Sequence, residues 1–222
     1  MSTLPVSAAE LRELCVGYVR AAGVLAREGR IAARDGGGLG EFTKSTATDM
    51  VTRFDRAAEE VIVAAIRSDR PDDAIIGEEG ADQPGTTGLA WHVDPIDGTT
   101  NFVYDLPTWA CSVGVTFDGV GVAGAVYAPM VDELFAASIE PDGAATATLN
   151  GRPISASTAT DPALALVATG FAYRAETRAA QARRFAFLAG ELRDIRRLGA
   201  ASYDLCLVAS GRVDAYYETG LN

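Results

Sequence analysis

The sequence predicts helices and strands stacked in layers, a fold of α/β to α+β class, and three observations carry that expectation. Ser7 through Ala33 places Leu11, Leu14, Cys15, Tyr18, Val19 and Ala22 at three- and four-residue spacing, the period of an amphipathic helix. Trp109–Phe117 and Val120–Tyr127 are β-rich runs joined by Asp118-Gly119, a two-residue hairpin signal. From Leu164 to Glu218 strand-like and helix-like segments alternate, as layered folds require.

Taken in order, Ser7 caps the first helix, with Glu10 three residues on as a capping box. Asp35-Gly36-Gly37-Gly38-Leu39-Gly40 reads as a flexible connector, because it lacks the lysine-serine ending of a phosphate-cradling P-loop. Phe54–Ser68 is a second helix, broken by Arg70-Pro71-Asp72-Asp73. Ala74–Gly77 is a short strand, and a longer apolar strand runs into Asp94. Gly98-Thr99-Thr100 then opens a helix. After the hairpin comes a strand at Glu133–Ser138 and a turn-rich stretch to Pro153. Leu164–Thr169 is a strand, Glu176–Leu192 a helix and Asp194–Leu198 a short strand. Ala200–Ser210 is helical and Val213–Glu218 is a strand. With no linker, repeat or low-complexity tract, residues 1–222 read as one domain.

Composition narrows the function. A net charge of −11, with no basic run longer than Arg183-Arg184 or Arg196-Arg197, argues against nucleic acid as a partner. No apolar run approaches a membrane span, and the first residues lack the basic start and apolar stretch of a signal peptide, so a cytoplasmic protein away from membranes is expected. Cys15, Cys111 and Cys206 are widely spaced and sit among apolar neighbours, which reads as buried small hydrophobes. With His92 the only histidine, neither a zinc site nor a Ser-His or Cys-His nucleophile fits. His92 itself reads as a core-facing strand residue, and the neighbouring Tyr216 and Tyr217 as sheet packing.

The run Asp94-Pro95-Ile96-Asp97-Gly98-Thr99-Thr100 carries the chemistry. It sets two carboxylates at a strand's end and backbone N–H groups at a helix start immediately after them. Carboxylate and carbonyl oxygens are ligands of hard divalent cations, and helix N-termini hold phosphate. A capped turn alone would explain Asp-Gly-Thr, but Ile75-Ile76-Gly77-Glu78-Glu79 is a second strand ending in acids. Two such strand ends are what a shared metal site needs. A cleft of carboxylates would repel a phosphate unless cations intervened, so the site should be nearly inactive without metal.

These residues resemble the inositol monophosphatase family of Mg²⁺-dependent sugar phosphatases. Gly77-Glu78-Glu79 and Asp94 through Phe102 are similar to its central motifs. Lys44-Ser45-Thr46-Ala47-Thr48-Asp49-Met50-Val51-Thr52-Arg53-Phe54-Asp55 is similar to an upstream block, and Leu198 through Glu218 to a late helix and strand. The four blocks occur in the family's order. The family's following motif is a tryptophan-aspartate pair whose aspartate is a metal ligand, and it would begin near Asn222, with closing strands and a helix beyond. Two alternatives stay open: the sequence continues past Asn222, or the protein lacks that ligand.

The resemblance implies alternating helix and sheet layers with the active site between halves 1–150 and 151–222, and two or three Mg²⁺ ions. Glu78, Asp94 and the Ile96 carbonyl would bind the first ion, and Asp97 a second. Glu78 with Thr99 would orient and deprotonate the attacking water. Asp97, Gly98, Thr99, Thr100, Ala201 and Glu218 would contact a small-molecule phosphate monoester. Lys44, Asp49, Asp55 and Glu79 would surround the ligands, while Asp204 reads as a buried polar group bonded locally on its helix. Thr100-Asn101-Phe102 is similar to the branch acting on inositol monophosphate, with histidinol phosphate and nucleotide phosphates as alternatives. Sensitivity to Li⁺ and a homodimer are further implications, and the Ala-, Arg- and Gly-rich composition suits a GC-rich bacterial source. A non-catalytic interaction protein on the same scaffold is the competing expectation.

Overall fold

The computed structural model describes residues 4–34, 38–39, 42–43 and 50–221. Helix α1 (Ala8–Ala32) starts at Ser7, whose side chain accepts from the Glu10 N–H, and turns Leu11, Cys15, Tyr18, Val19, Ala22 and Ala26 inward. After the short strands β1 (Phe42–Thr43) and β2 (Met50–Val51), helix α2 (Arg53–Asp69) begins with a capping box in which Thr52 and Asp55 satisfy each other's neighbouring N–H groups. Both helices pack on one face of a seven-stranded sheet, α1 across its centre and α2 against its long strand.

That sheet runs in the order β3 (Ala74–Gly77), β4 (Leu89–Asp97), β5 (Ala110–Phe117), β6 (Val120–Ala128), β7 (Glu133–Ile139), β8 (Ala145–Leu149) and β9 (Arg152–Pro153). Only β3 and β4 are parallel; the remaining pairs are antiparallel. The β5–β6 turn has Asp118 and Gly119 both at positive φ, 48° and 81°, as the hairpin signal requires. The stretch expected to be turns up to Pro153 contains β8 and β9 instead. Its sequence, Ala-Thr-Ala-Thr-Leu, is too weakly apolar to announce a strand, and backbone pairing with β7 decides it.

The core between the two helices and the sheet is built on Trp91, Trp109 and Phe102, each essentially inaccessible. Phe102 meets Trp109 edge to face at 5.0 Å, and Trp91 lies against Tyr18 at 5.5 Å. The Trp91 indole N–H donates to Asp73 at 2.9 Å, so the buried ring carries no unsatisfied donor.

The remaining strands form a separate parallel sheet ordered β11 (Asp194–Arg196), β10 (Leu166–Thr169), β12 (Ala215–Tyr217). Helix α4 (Ala175–Ala189) connects β10 to β11, and α5 (Ala201–Ala209) connects β11 to β12. Parallel neighbours need such crossovers. Because β11 and β12 flank β10 on opposite sides, the connections diverge beyond the carboxyl ends of these strands and leave a crevice there. The mixed sheets and their helices make the class α+β. Helix α5 joins the two sheets through a second apolar cluster including Ala110, Phe135, Tyr203 and Leu207. The Tyr203 hydroxyl and Arg212 both bond Glu133, fixing α5 to the large sheet.

Candidate active site

Strand register brings the acids together. Gly77 pairs with Val93 in the parallel β3–β4 ladder, and the Glu78 N–H donates to the Val93 carbonyl at 3.0 Å. One residue further, Glu78 and Asp94 leave adjacent strands side by side, at the ~4.8 Å spacing of a ladder. Residues three apart on a regular strand would point to opposite faces. Here Asp94 pairs with Ser112 but Asp97 with Ala110, so the register shifts around Pro95-Ile96. Ser112 and Ala110 are two apart and share a face, which puts Asp94 and Asp97 on one face as well. The irregularity accommodates Pro95, which lies past the end of the β3–β4 ladder and has a partner strand only in β5.

Gly98 turns the chain from this strand into α3 (Thr99–Val103) at φ 89°. A Cβ at this position would sit 3.0 Å from the Gly199 carbonyl oxygen and 3.1 Å from that of Thr108, so close approach as well as conformation demands glycine. The Thr99 side chain is buried, with its hydroxyl 3.0 Å from the Ile96 carbonyl and 3.2 Å from Asp55 Oδ1. Asp55 also accepts from the N–H and hydroxyl of Thr52, at 2.7 and 2.6 Å. Burial pushes the Asp55 carboxyl up to about 6, assisted by the charge of Glu79 and opposed by the Thr52 and Thr99 hydrogen bonds. At the far end of α3, the buried Arg30 donates to the carbonyls of Phe102 and Val103 at 2.6 and 3.2 Å.

A cleft of about 590 Å³ lies where the carboxyl ends of β3 and β4 face those of the parallel sheet. Glu78 and Asp97 line it from one side, Ala201, Asp204, Tyr216 and Glu218 from the other, and Arg197 also borders it. Its size suits a small molecule. Burial raises the Asp97 carboxyl above the ordinary range, helped by the charge of Glu78, although hydrogen bonds from Ser202 oppose the rise. Asp204 is pushed up to about 7 by burial and by the charges of Asp97 and Glu218, against the pull of Arg197. The Tyr216 hydroxyl donates to Glu218, and burial plus that bond push its pKa well above the ordinary tyrosine value, so it stays protonated.

The expected residues therefore separate by position. Glu78, Asp97, Ala201 and Glu218 line the cleft; Asp94 stands beside Glu78 by register; Gly98, Thr99 and Thr100 form the first turn of α3. Asp55 lies behind Thr99, and the Glu79 N–H donates to buried Glu59 at 2.9 Å. Lys44 and Asp49 fall outside the described residues, as does most of the glycine-rich connector.

Two expectations fail. His92 does not face the core: it is exposed, with a ring nitrogen 3.1 Å from the Thr116 hydroxyl, because strand alternation sends Trp91 and Val93 inward. Asp204 is buried but not bonded along its helix, and its Oδ1 has no hydrogen-bond partner. Three contributors were missed: Glu59, Asn101 and Ser202. The Asn101 amide nitrogen lies 2.5 and 2.7 Å from the carbonyls of Thr108 and Leu198, tying α3 to the segment that leads into α5. Ser202 donates to Asp97. Asn101 and Ser202 lie within blocks that resemble the family, but the contacts of all three become visible only once the chain is folded.

The donors suit a hard divalent cation. Glu78, Asp94, Asp97 and the Ile96 carbonyl offer oxygen only, and the raised Asp97 carboxyl is the mark of negative groups crowded away from water. Among the described residues, no three Asp, Glu, His or Cys side chains are already gathered into a metal-holding group. Asp97 is instead turned onto the start of α5. No described helix is long and apolar enough to cross a membrane.

Comparison with known proteins agrees with this fold. The chain is 41% identical over 187 residues to an inositol-1-monophosphatase of Mycobacterium leprae, covering 82% of this chain and 64% of the relative. It is 40% identical over 186 residues to a protein named Nus factor SuhB from Escherichia coli K12, covering 82% and 67%. Among solved structures, the extragenic suppressor protein suhB of Bartonella henselae superposes with a TM-score of 0.87 at 29% identity, over 96% of this chain and 80% of that one. Mycobacterium tuberculosis SuhB superposes with a TM-score of 0.78 at 33% identity, over 96% and 78%. The chain thus spans about two-thirds of the length of the sequence relatives it matches. The model of the inositol monophosphatase family matches residues 8–222, and the chain belongs to that family.

Proposed function

We propose that this protein is a Mg²⁺-dependent phosphomonoesterase that hydrolyses inositol 1-phosphate to inositol and phosphate by direct in-line attack of water. The observation that carries the proposal is that Glu78 and Asp97 line one cleft, with Asp94 next to Glu78 by strand register and the start of α3 directly after Asp97. Glu78, Asp94 and Ile96 would hold one ion and Asp97 would contribute to a second. When bound, Mg²⁺ would supply positive charge for the phosphate and acidify the attacking water.

The protein's own groups do the rest. The N–H groups of Gly98 and Thr99 and the Thr100 side chain meet the phosphate at the start of α3. Asp55 and the Ile96 carbonyl fix the Thr99 hydroxyl, which in turn orients the water with Glu78. Glu218, aligned by the Tyr216 hydroxyl, and the backbone of Ala201 face the alcohol portion of the substrate. Arg197 contributes the positive charge that keeps this acidic cleft open to an anion. The family resemblance also supports a homodimer, a cytoplasmic location and inhibition by Li⁺.

Phosphate release from myo-inositol 1-phosphate, histidinol phosphate and 2′-AMP, each with Mg²⁺ or chelator, tests the reading. Metal-dependent turnover that favours the inositol ester is expected. Preference for either comparator would keep the phosphatase and change its substrate. The name Nus factor on relatives 40% identical to this chain favours a second reading, an interaction role on the same scaffold. Absence of turnover on all three esters would select it.

A further inference from the structure

Asp97 and Ser202 lie 105 residues apart in sequence, yet they meet across the cleft. Asp97 Oδ2 accepts from the Ser202 N–H at 2.6 Å and from the Ser202 hydroxyl at 2.6 Å. Ser202 is the second residue of α5, so the unsatisfied donors and positive dipole end of that nine-residue helix also favour the carboxylate. The backbone N–H would be supplied by any residue except proline. The hydroxyl is a choice made by this sequence. Helix α5 is itself anchored to the large sheet by Tyr203, the next residue, through Glu133 and Phe135. The donor pair on Oδ2 therefore rests on a fixed frame.

A carboxylate with one oxygen held by two donors has lost its freedom to rotate. Its other oxygen is then offered in a single direction. Outer partners of this kind set the orientation of metal ligands and commonly alter metal affinity 10–100-fold. Asp97 lines the cleft together with Glu78, the acid it would have to join in holding cations.

We infer that Ser202 is a positioning residue, whose hydroxyl pins Asp97 Oδ2 to the start of α5 and so fixes Asp97 as a ligand for a divalent cation in the cleft. The inference rests on the metal-dependent reading above and assigns to α5 a part in ion binding.

The test is Mn²⁺ binding to the substrate-free protein, measured from the free-ion electron paramagnetic resonance signal. Wild type, Ser202→Ala, Ser202→Thr, Asp97→Asn and the Ser202→Ala/Asp97→Asn double variant would be compared. Ser202→Ala is expected to weaken the Asp97-dependent binding about tenfold, and Ser202→Thr to restore it. Because Ser202 acts through Asp97, the double variant should lose no more than Asp97→Asn alone. A general loss of structure would instead add to the Asp97→Asn effect and lower the metal-free melting temperature of Ser202→Ala and Ser202→Thr alike. Equal or tighter Mn²⁺ binding by Ser202→Ala in a wild-type background that binds the ion overturns the positioning role. Failure of the wild type itself to bind Mn²⁺ overturns the metal reading beneath it.

Discussion

The seven-stranded and three-stranded sheets of this molecule are packed by different means, and the cleft lies between them. Helix α1 on the seven-stranded sheet buries nine of its 25 residues, almost all apolar. Helix α4 beside the three-stranded sheet is 15 residues long and buries only Gln181. That glutamine accepts from the Ala172 N–H at 2.7 Å and donates to the Thr219 carbonyl at 2.9 Å, so a polar tie does what an apolar stripe does elsewhere. Phe187 on the same helix is 83% exposed. The strand-end acids grow out of a dense core whose ladder fixes their spacing. The opposite wall reaches the cleft through a few specific bonds: Asn101 to Leu198, Ser202 to Asp97 and Tyr203 to Glu133.

The contrast can be broken most severely at the strand-end acids. Asp94→Asn keeps the shape of β4 and removes a charge from the ion-binding set. Mg²⁺-dependent phosphate release is expected to fall roughly 10⁴-fold with the circular dichroism spectrum unchanged. A fall of less than tenfold would show that Asp94 is not in the reaction. On stability, Trp91→Ala should cost about 3–5 kcal/mol in urea denaturation, because it leaves a cavity and strips Asp73 of a donor. Phe187→Ala on α4 should stay within about 0.5 kcal/mol. Equal costs would erase the difference between the halves.

Asn101→Ala tests the bonds between them. Removing a buried amide that reaches the Thr108 and Leu198 carbonyls should cost about 2 kcal/mol and raise KM more than a surface change would. A smaller effect, with the sign set by pH, is expected at Asp204. Its carboxyl sits at about 7 in the folded chain against 3.8 as the ordinary value, so between these limits the native state holds the extra proton. Stability linked to this group is therefore present at low pH and lost as pH rises through about 7. In chelator, Asp204→Asn should be about 1–2 kcal/mol more stable than wild type at pH 8, with the gap closing near pH 4. Chemical denaturation across that range checks it, and a gap that widens toward pH 4 would contradict it.

Much of the fold was legible in local pattern. The period of α1, the Asp118-Gly119 hairpin and the alternation after Leu164 all act over a few residues, and each element appears within two residues of its expected bounds except α4, which ends three residues before Leu192. The strand β8 was not legible, since Ala and Thr alternate without a strong apolar face and its place is fixed by β7. His92 could have been placed outward from Trp91 and Val93 on either side of it. The candidate site divides in the same way. Glu78, Asp94, Asp97, Gly98 and Thr99 lie in two short motifs, where charge, turn and helix start are contiguous. Glu59 under Glu79 and Ser202 on Asp97 are contacts 20 and 105 residues apart, and no local spacing announces them. The bare Oδ1 of Asp204 is likewise a product of packing, because an Asp in the first turn of a helix has local partners within reach and this one does not use them.

The most direct test is phosphate release from myo-inositol 1-phosphate as Mg²⁺ is titrated into chelated protein, with wild type and Glu78→Gln in parallel. Turnover that is absent in chelator, rises with Mg²⁺ in the wild type and stays near background in Glu78→Gln is the expected result. Turnover that persists in chelator, or is equal in the two proteins, would contradict a reaction run by the acids at the ends of β3 and β4.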